Sequence, residues 1–208
     1  MLCGAPLPDR LPSSLLVATD AFGFADPAVQ DALAPLVDRL AALIGQRRDE
    51  TLALQGLSVW QRAQRVLQSS ESWRTFQPWL DACNPRLAFS VARGLVFGST
   101  LTDAERTAAA LMREEARARL RLLLPPGTIL CLPTTPVPAP KRGLPLSELD
   151  FVRERIGCLT SPCGLTGVPQ VSLPGATVDG APVGLSIIGP RGSDLDLMLV
   201  ARHFAEAV

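Results

Sequence analysis

Apolar and polar positions repeat on two periods along this chain, and the changes of period mark its elements. Ser14-Leu-Leu-Val-Ala-Thr19 is a short, unbroken apolar run with a β-branched residue, the pattern of a buried strand. Val29, Leu33, Leu36, Val37, Leu40, Leu43 and Ile44 then recur at helical spacing. Asp26 and Pro27 suit the start of that helix: the Asp carboxylate can accept from orphan N–H groups, and Pro fits the first helical position. Gly45 is a natural stop. Thr51-Leu-Ala-Leu-Gln55 alternates weakly and predicts a second strand. Helical spacing returns from Ser58 to about Leu80, with Trp60, Leu67, Trp73 and Trp79 set among polar residues as core or inter-helix contacts. Pro85 to Gly98 predicts another helix. Thr102-Asp-Ala-Glu105 is a capping box that opens a further one, ended near Leu124 by Pro125-Pro126.

Thr128-Ile-Leu-Cys-Leu132 predicts a second buried strand, and the Pro-rich stretch from Pro133 to about Pro145 a surface loop. Phe151 to Gly157 is short and ambiguous. Gln170–Leu173 and Val183–Ile188 predict strands joined through Gly175 and Asp179-Gly180, with a hairpin as the expected geometry. Ser193 or Asp194 caps a final helix that runs to Val208. Strands and helices interleave without an internal repeat or a linker, so the expectation is one α/β domain, or most of one, over 1–208.

Composition narrows the partners. Lys plus Arg and Asp plus Glu number 20 each, so no net charge draws the chain to nucleic acid. The basic stretch Arg113 to Arg121 holds Glu114 and Glu115 and reads as a solvated helix face. No apolar run approaches the roughly 20 residues that span a bilayer, and no membrane contact is expected. Prolines and charges interrupt the N-terminus (Pro6, Pro8, Asp9, Arg10, Pro12), against a signal peptide. The five cysteines, Cys3, Cys83, Cys131, Cys158 and Cys163, form no C-x-x-C pair, which fits reduced thiols in a cytoplasmic protein. One histidine, His203, and unspaced cysteines supply no metal ligand set, and neither phosphate-binding Gly motif occurs, so no metal or cofactor is expected. A Cys163–His203 nucleophile pair is the competing chemistry; His203 sits among Val200, Phe204 and Ala207, where packing is the plainer role.

Leu132-Pro-Thr-Thr-Pro136, Gly167-Val-Pro-Gln-Val-Ser-Leu-Pro174 and Pro182-Val-Gly-Leu185 occur in that order. Upstream stand Leu16-Val-Ala-Thr-Asp-Ala-Phe22, Leu67-Gln-Ser-Ser-Glu-Ser-Trp73, and Pro85-Arg-Leu with Arg93. Together these segments resemble the C-terminal portion of the amidase signature family. The resemblance implies a partial amidase-signature-like fold, a mixed β-sheet flanked by helices. It also implies amide hydrolysis or transfer by a serine nucleophile, a second serine in a cis peptide and a lysine base. In the family those groups lie in the N-terminal half, the nucleophile near a Gly-Ser-Ser-Gly-Gly-Ser stretch. This sequence holds no such stretch; Ser13-Ser14 and Ser69-Ser70 lack the glycines, and the single lysine is Lys141 in the Pro-rich loop. No catalytic residue is therefore assigned. Met1 falls where family members are in mid-chain. The expectation is a chain inactive alone, completed by an N-terminal amidase half or associating with itself, and acting on a small amide only when completed. A non-catalytic scaffold or binding protein is the alternative.

Pocket candidates follow from the same segments. Thr134, Thr135 and Pro136 leave the end of the Thr128–Leu132 strand, where the stiff loop either lines a pocket with two hydroxyls or merely covers an edge. Cys163 and Gly164 are expected at a turn before the Val171 strand, with Gly167, Pro169 and Pro174 bracketing it. That turn is read either as backbone geometry or as pocket wall.

Overall fold

The computed structural model describes residues 7–206, and its sheet is organised around one strand buried on both faces. Leu15, Leu16, Val17 and Ala18 of β1 (Ser14–Ala18) are all buried, as befits a strand covered by helices on two sides. The chain turns through α1 (Thr19–Phe24), crosses back along α2 (Pro27–Ile44), and lays β2 (Gln46–Glu50) parallel to β1. Three helices follow, α3 (Leu57–Cys83), α4 (Phe89–Thr100) and α5 (Asp103–Leu123). The strand β3 (Thr128–Pro133) then pairs parallel with the other side of β1. After α6 (Leu146–Thr166), the hairpin β4 (Gln170–Val178) and β5 (Ala181–Ile188) pairs antiparallel through β5 with β3. The chain closes on α7 (Asp194–Glu206). The sheet order is β2-β1-β3-β5-β4, a mixed sheet flanked by helices.

Strand alternation sorts the core into two layers. Leu16, Leu130, Leu132 and Ile188 pack with Trp60, Leu120 and Leu159 of α3, α5 and α6. Leu15, Val17, Ile129, Cys131, Leu185 and Ile187 pack with Leu33 and Leu40 of α2 and Val200 and Phe204 of α7. Among the described residues no helix is long and apolar enough to cross a membrane.

Several elements differ from the sequence reading. The second strand is Gln46–Glu50, and Thr51–Gln55 is loop. An exposed edge strand needs no apolar face, so periodicity passes over it. Leu52 and Ala53 are buried, but their N–H groups go to the Asp20 carboxylate at 2.8 and 2.9 Å. Asp26 makes no side-chain cap on α2; its carboxylate pairs with Arg155 at 2.7 Å. Pro85 to Ala88 is non-helical, and α4 starts at Phe89. Phe151–Gly157 lies inside the 21-residue α6. Gly175 is not in the hairpin turn but at a bulge where the β4 register shifts between Pro174 and Ala176. The turn is Asp179-Gly180 alone, both at positive φ (49° and 78°), the conformation two-residue hairpins favour. The capping box stands as read: Thr102 Oγ1 accepts from Glu105 N–H, and the Glu105 carboxylate accepts from Thr102 N–H at 2.8 Å. Trp60 is core and Trp73 meets α4, while Trp79 is half exposed and edges onto Phe76 with ring centroids 6.5 Å apart. Cys3 and Val208 lie outside the described residues.

Candidate active-site wall

β1 and β3 run parallel, so their carboxyl ends share one rim of the sheet, the side where ligands bind in sheets of this kind. Thr134 steps off the end of β3 there. Its N–H donates to the Gly184 carbonyl at 2.8 Å, which extends the β3–β5 ladder by one residue. Its hydroxyl lies 2.8 Å from both Ser172 Oγ and Ser186 Oγ. The Gln170 side-chain amide donates to Ser186 Oγ at 2.7 Å. A row of hydroxyls thus crosses β3, β5 and β4, anchored inside at the fully buried Ser186 and open to solvent at Ser172. Gly184 makes room for it: a Cβ there would stand 2.7 Å from Ser172 Oγ and 3.1 Å from Thr134 Oγ1. Each hydroxyl can donate one proton and accept on two lone pairs, so the exposed end of the row can meet either the carbonyl or the N–H of an amide.

The remaining loop candidates serve the loop itself. Thr135 Oγ1 donates to the Val137 carbonyl at 2.8 Å. Pro136 is buried, and its carbonyl accepts from Asp26 N–H at 2.9 Å. Asp26 holds Arg155 of α6, which also donates to the Phe24 carbonyl at 3.2 Å. This tie leads from the loop to a cavity of about 590 Å³ between α1, α3, α4 and α6. Phe24, Phe97 and Phe151 line it, with Arg65 over the Phe97 ring and Arg155 between Phe24 and Phe151.

Cys163 and Gly164 are not at a turn. They ride in the last turns of α6, which ends at Gly167 with φ 78°. Gly164 allows α6 to approach α3, since a Cβ there would come within 2.9 Å of the Gln64 side-chain nitrogen. Burial pushes the Cys163 thiol up to about 12, so it stays protonated at neutral pH and is no nucleophile. It packs in the α3/α5/α6 layer, whereas His203 belongs to α7 on the opposite layer and lies 3.7 Å from Glu206. The sheet separates the two, which removes the Cys163–His203 reading. Lys141 is exposed in the loop after Pro140. Among the described residues no three His, Cys, Asp or Glu side chains converge as metal ligands.

The structure thus joins Thr134 to Gln170, Ser172 and Ser186, residues that periodicity alone did not single out. The available signal was Ser186, a polar residue at a core position of an otherwise apolar strand. Such a hydroxyl must find a partner. Phe24, Phe97 and Phe151, far apart in sequence, carried no such signal.

Comparison with known proteins places this architecture. The Amidase family model matches residues 54–198. Amidase 1 of Oryza sativa subsp. japonica is 29% identical over 160 residues, which cover 76% of this chain and 37% of that protein. Amidase 1 of Arabidopsis thaliana is 26% identical over 141 residues, 68% of this chain and 33% of that one. A solved amidase superposes with a TM-score of 0.77 at 30% identity, covering 97% of this chain and 47% of its own. The urea amidolyase of K. lactis shares the fold with a TM-score of 0.79 at 21% identity, covering 96% of this chain and 12% of its own. The chain spans less than half the length of each of these relatives, yet the family model takes in the greater part of it: the chain belongs to the amidase signature family.

Proposed function

We propose that this chain forms the C-terminal, pocket-walling portion of an amide hydrolase whose nucleophile and base come from polypeptide outside these 208 residues. The row of hydroxyls from Thr134 to Ser172, at the rim where β1 and β3 end, is the observation that carries the reading. It offers an amide both donors and acceptors on a fixed sheet, with Gly184 kept free of a side chain to admit them. Thr135 and Pro136 hold the loop beside it, and Cys163 and Gly164 set α6 against α3 behind it. All five are structural parts of one wall, not reacting groups.

The missing chemistry supports the same division. An acyl-transfer serine needs a base within hydrogen-bond reach. The sole lysine, Lys141, is exposed and makes no hydrogen bond or ion pair among the described residues. With no serine hydroxyl in hydrogen-bond reach, it has no nucleophile to activate among the described residues. Purified chain should therefore release no p-nitroaniline from p-nitroacetanilide above the buffer rate. Turnover that disappears on Ser172→Ala or Ser186→Ala would show that the reacting serine is on this chain and defeat the proposal.

A further inference from the structure

The cavity between α1, α3, α4 and α6 lies on the same rim of the sheet as the row of hydroxyls. Thr19 of α1 directly follows the carboxyl end of β1, and Phe24 ends that helix at the cavity. Thr134 leaves the carboxyl end of β3, the parallel neighbour of β1. At about 590 Å³ the cavity has the size of a small-molecule site.

Its lining has a sign. Arg62, Arg65 and Arg155 bring three guanidiniums, and Glu154 is the one carboxylate among the described residues that line it. Asp26, behind Arg155 at 2.7 Å, supplies a second. Two carboxylates thus meet three cations that never lose their protons, and one positive charge is left over. The adjoining cleft adds Arg93 and Arg153 against Asp150 alone. The 27-residue α3 also begins here: Ser58 in its first turn lines the cavity, and no acidic residue occupies that turn. The positive end of the helix dipole therefore adds to the same sign.

The guanidiniums are held in place with donors to spare. Arg155 uses Nη2 for both Asp26 and the Phe24 carbonyl, which leaves Nε and Nη1 without a hydrogen bond among the described residues. Its central carbon stands 5.7 and 6.0 Å from the ring centroids of Phe24 and Phe151. Arg65 lies 4.7 Å over the Phe97 ring, and its contact with Glu154 is 3.5 Å, longer than a good hydrogen bond. Arg62 makes neither a hydrogen bond nor an ion pair among the described residues. Guanidiniums stacked on ring faces keep their N–H edges for a carboxylate, while the rings themselves offer contact to an aryl group.

We infer that this cavity takes the far end of the amide substrate and selects an aromatic ring that carries a carboxylate. The inference rests on the proposed function for calling the ligand a substrate; the preference itself is a property of this chain. A neutral aryl amide fills the same space but leaves Arg62 and the spare donors of Arg155 without a partner.

Calorimetric titration of the purified full chain with 4-acetamidobenzoate, and with its uncharged counterpart 4-acetamidobenzamide, tests the preference. The carboxylate should bind about tenfold more tightly than the amide. Arg62→Met breaks no hydrogen bond or ion pair among the described residues. It should remove most of that preference and leave 4-acetamidobenzamide binding unchanged, and Arg62→Lys should restore part of it. Phe151→Ala should weaken both ligands alike, by about threefold. Equal binding of the two ligands, a preference that survives Arg62→Met, or no binding of either overturns the inference and leaves the proposed function standing. A chain that shows the preference yet hydrolyses p-nitroacetanilide through its own serine keeps the site and loses the proposed function.

Discussion

Helices α2 and α3 meet the sheet from opposite sides and divide their residues differently. α2 has 18 residues and buries Val29, Leu33, Leu36, Val37, Leu40 and Ile44 along one stripe. α3 has 27 residues and buries only Leu57, Trp60, Ala63 and Ser70. Its far end, with α4, exposes Phe76, Trp79, Phe89, Val91 and Val96. The 590 Å³ cavity also opens on this side. One face of the sheet carries a continuous buried layer under α2 and α7. The other is closed near the sheet by Trp60, Leu120 and Leu159 but carries clefts and exposed aromatic rings farther out on α3 and α4. The α2 layer is therefore finished along its length, whereas α3 is finished only in the half nearest the sheet.

Cutting a side chain on each face puts this contrast at risk most sharply. Leu33→Ala removes a fully buried side chain under α2 and should cost about 2–5 kcal/mol in urea denaturation. Phe89→Ala removes a ring that is 64% exposed and should cost within roughly 0.5 kcal/mol. Equal losses would mean that the α4 surface is as finished as the α2 layer. Gly98→Ala tests a close backbone approach of α4 to α3. The added Cβ would stand 2.2 Å from the Ser69 carbonyl oxygen, so the helices must part, at about 1–3 kcal/mol. A variant as stable as the parent would show that α4 shifts freely. Thr102→Ala removes the hydroxyl of the capping box at the start of α5 and should cost about 1 kcal/mol.

The smallest change belongs to the Arg93–Asp150 pair between α4 and α6, joined by two hydrogen bonds of 2.5 and 2.8 Å. Hydrogen bonding from Arg93, with its charge, holds the Asp150 carboxyl below the ordinary carboxylate range. A group depressed in this way stabilises the fold above its unfolded pKa and ceases to as pH falls through its folded one. The stability difference between the parent and Arg93→Met should be full above about pH 5 and shrink below about pH 4. Because the pair is exposed, the difference is small at every pH. A difference that grows toward acid would assign the wrong sign to the pair.

Legibility in the sequence follows the same division. β1, α2, β3 and the capping box are readable because each obeys a local rule: an unbroken apolar run, a single stripe, a cap with its partner three residues on. α6 is not, because it packs against both α3 and α5 and buries Cys158, Leu159, Ser161, Pro162 and Leu165 without one apolar stripe. Pro162 inside it and Gly164 near its end mimic turn residues, which suggests for Cys163 and Gly164 a turn they do not occupy. β2 is hidden by its charge. At the site, the Pro-Thr-Thr-Pro segment points to Thr134. Its partners Ser172 and Ser186 depend on strand register across three strands, which no local pattern encodes.

If this chain provides the wall and not the nucleophile, none of its serines is activated. Intact-mass analysis of the purified chain after treatment with a fluorophosphonate, which labels activated serines, asks that question without any choice of substrate. The expected mass is that of the unmodified chain at neutral pH, with every serine recovered free. A single adduct that maps to one serine of this chain, and is lost when the protein is unfolded first, would place the nucleophile here and refute the division of labour.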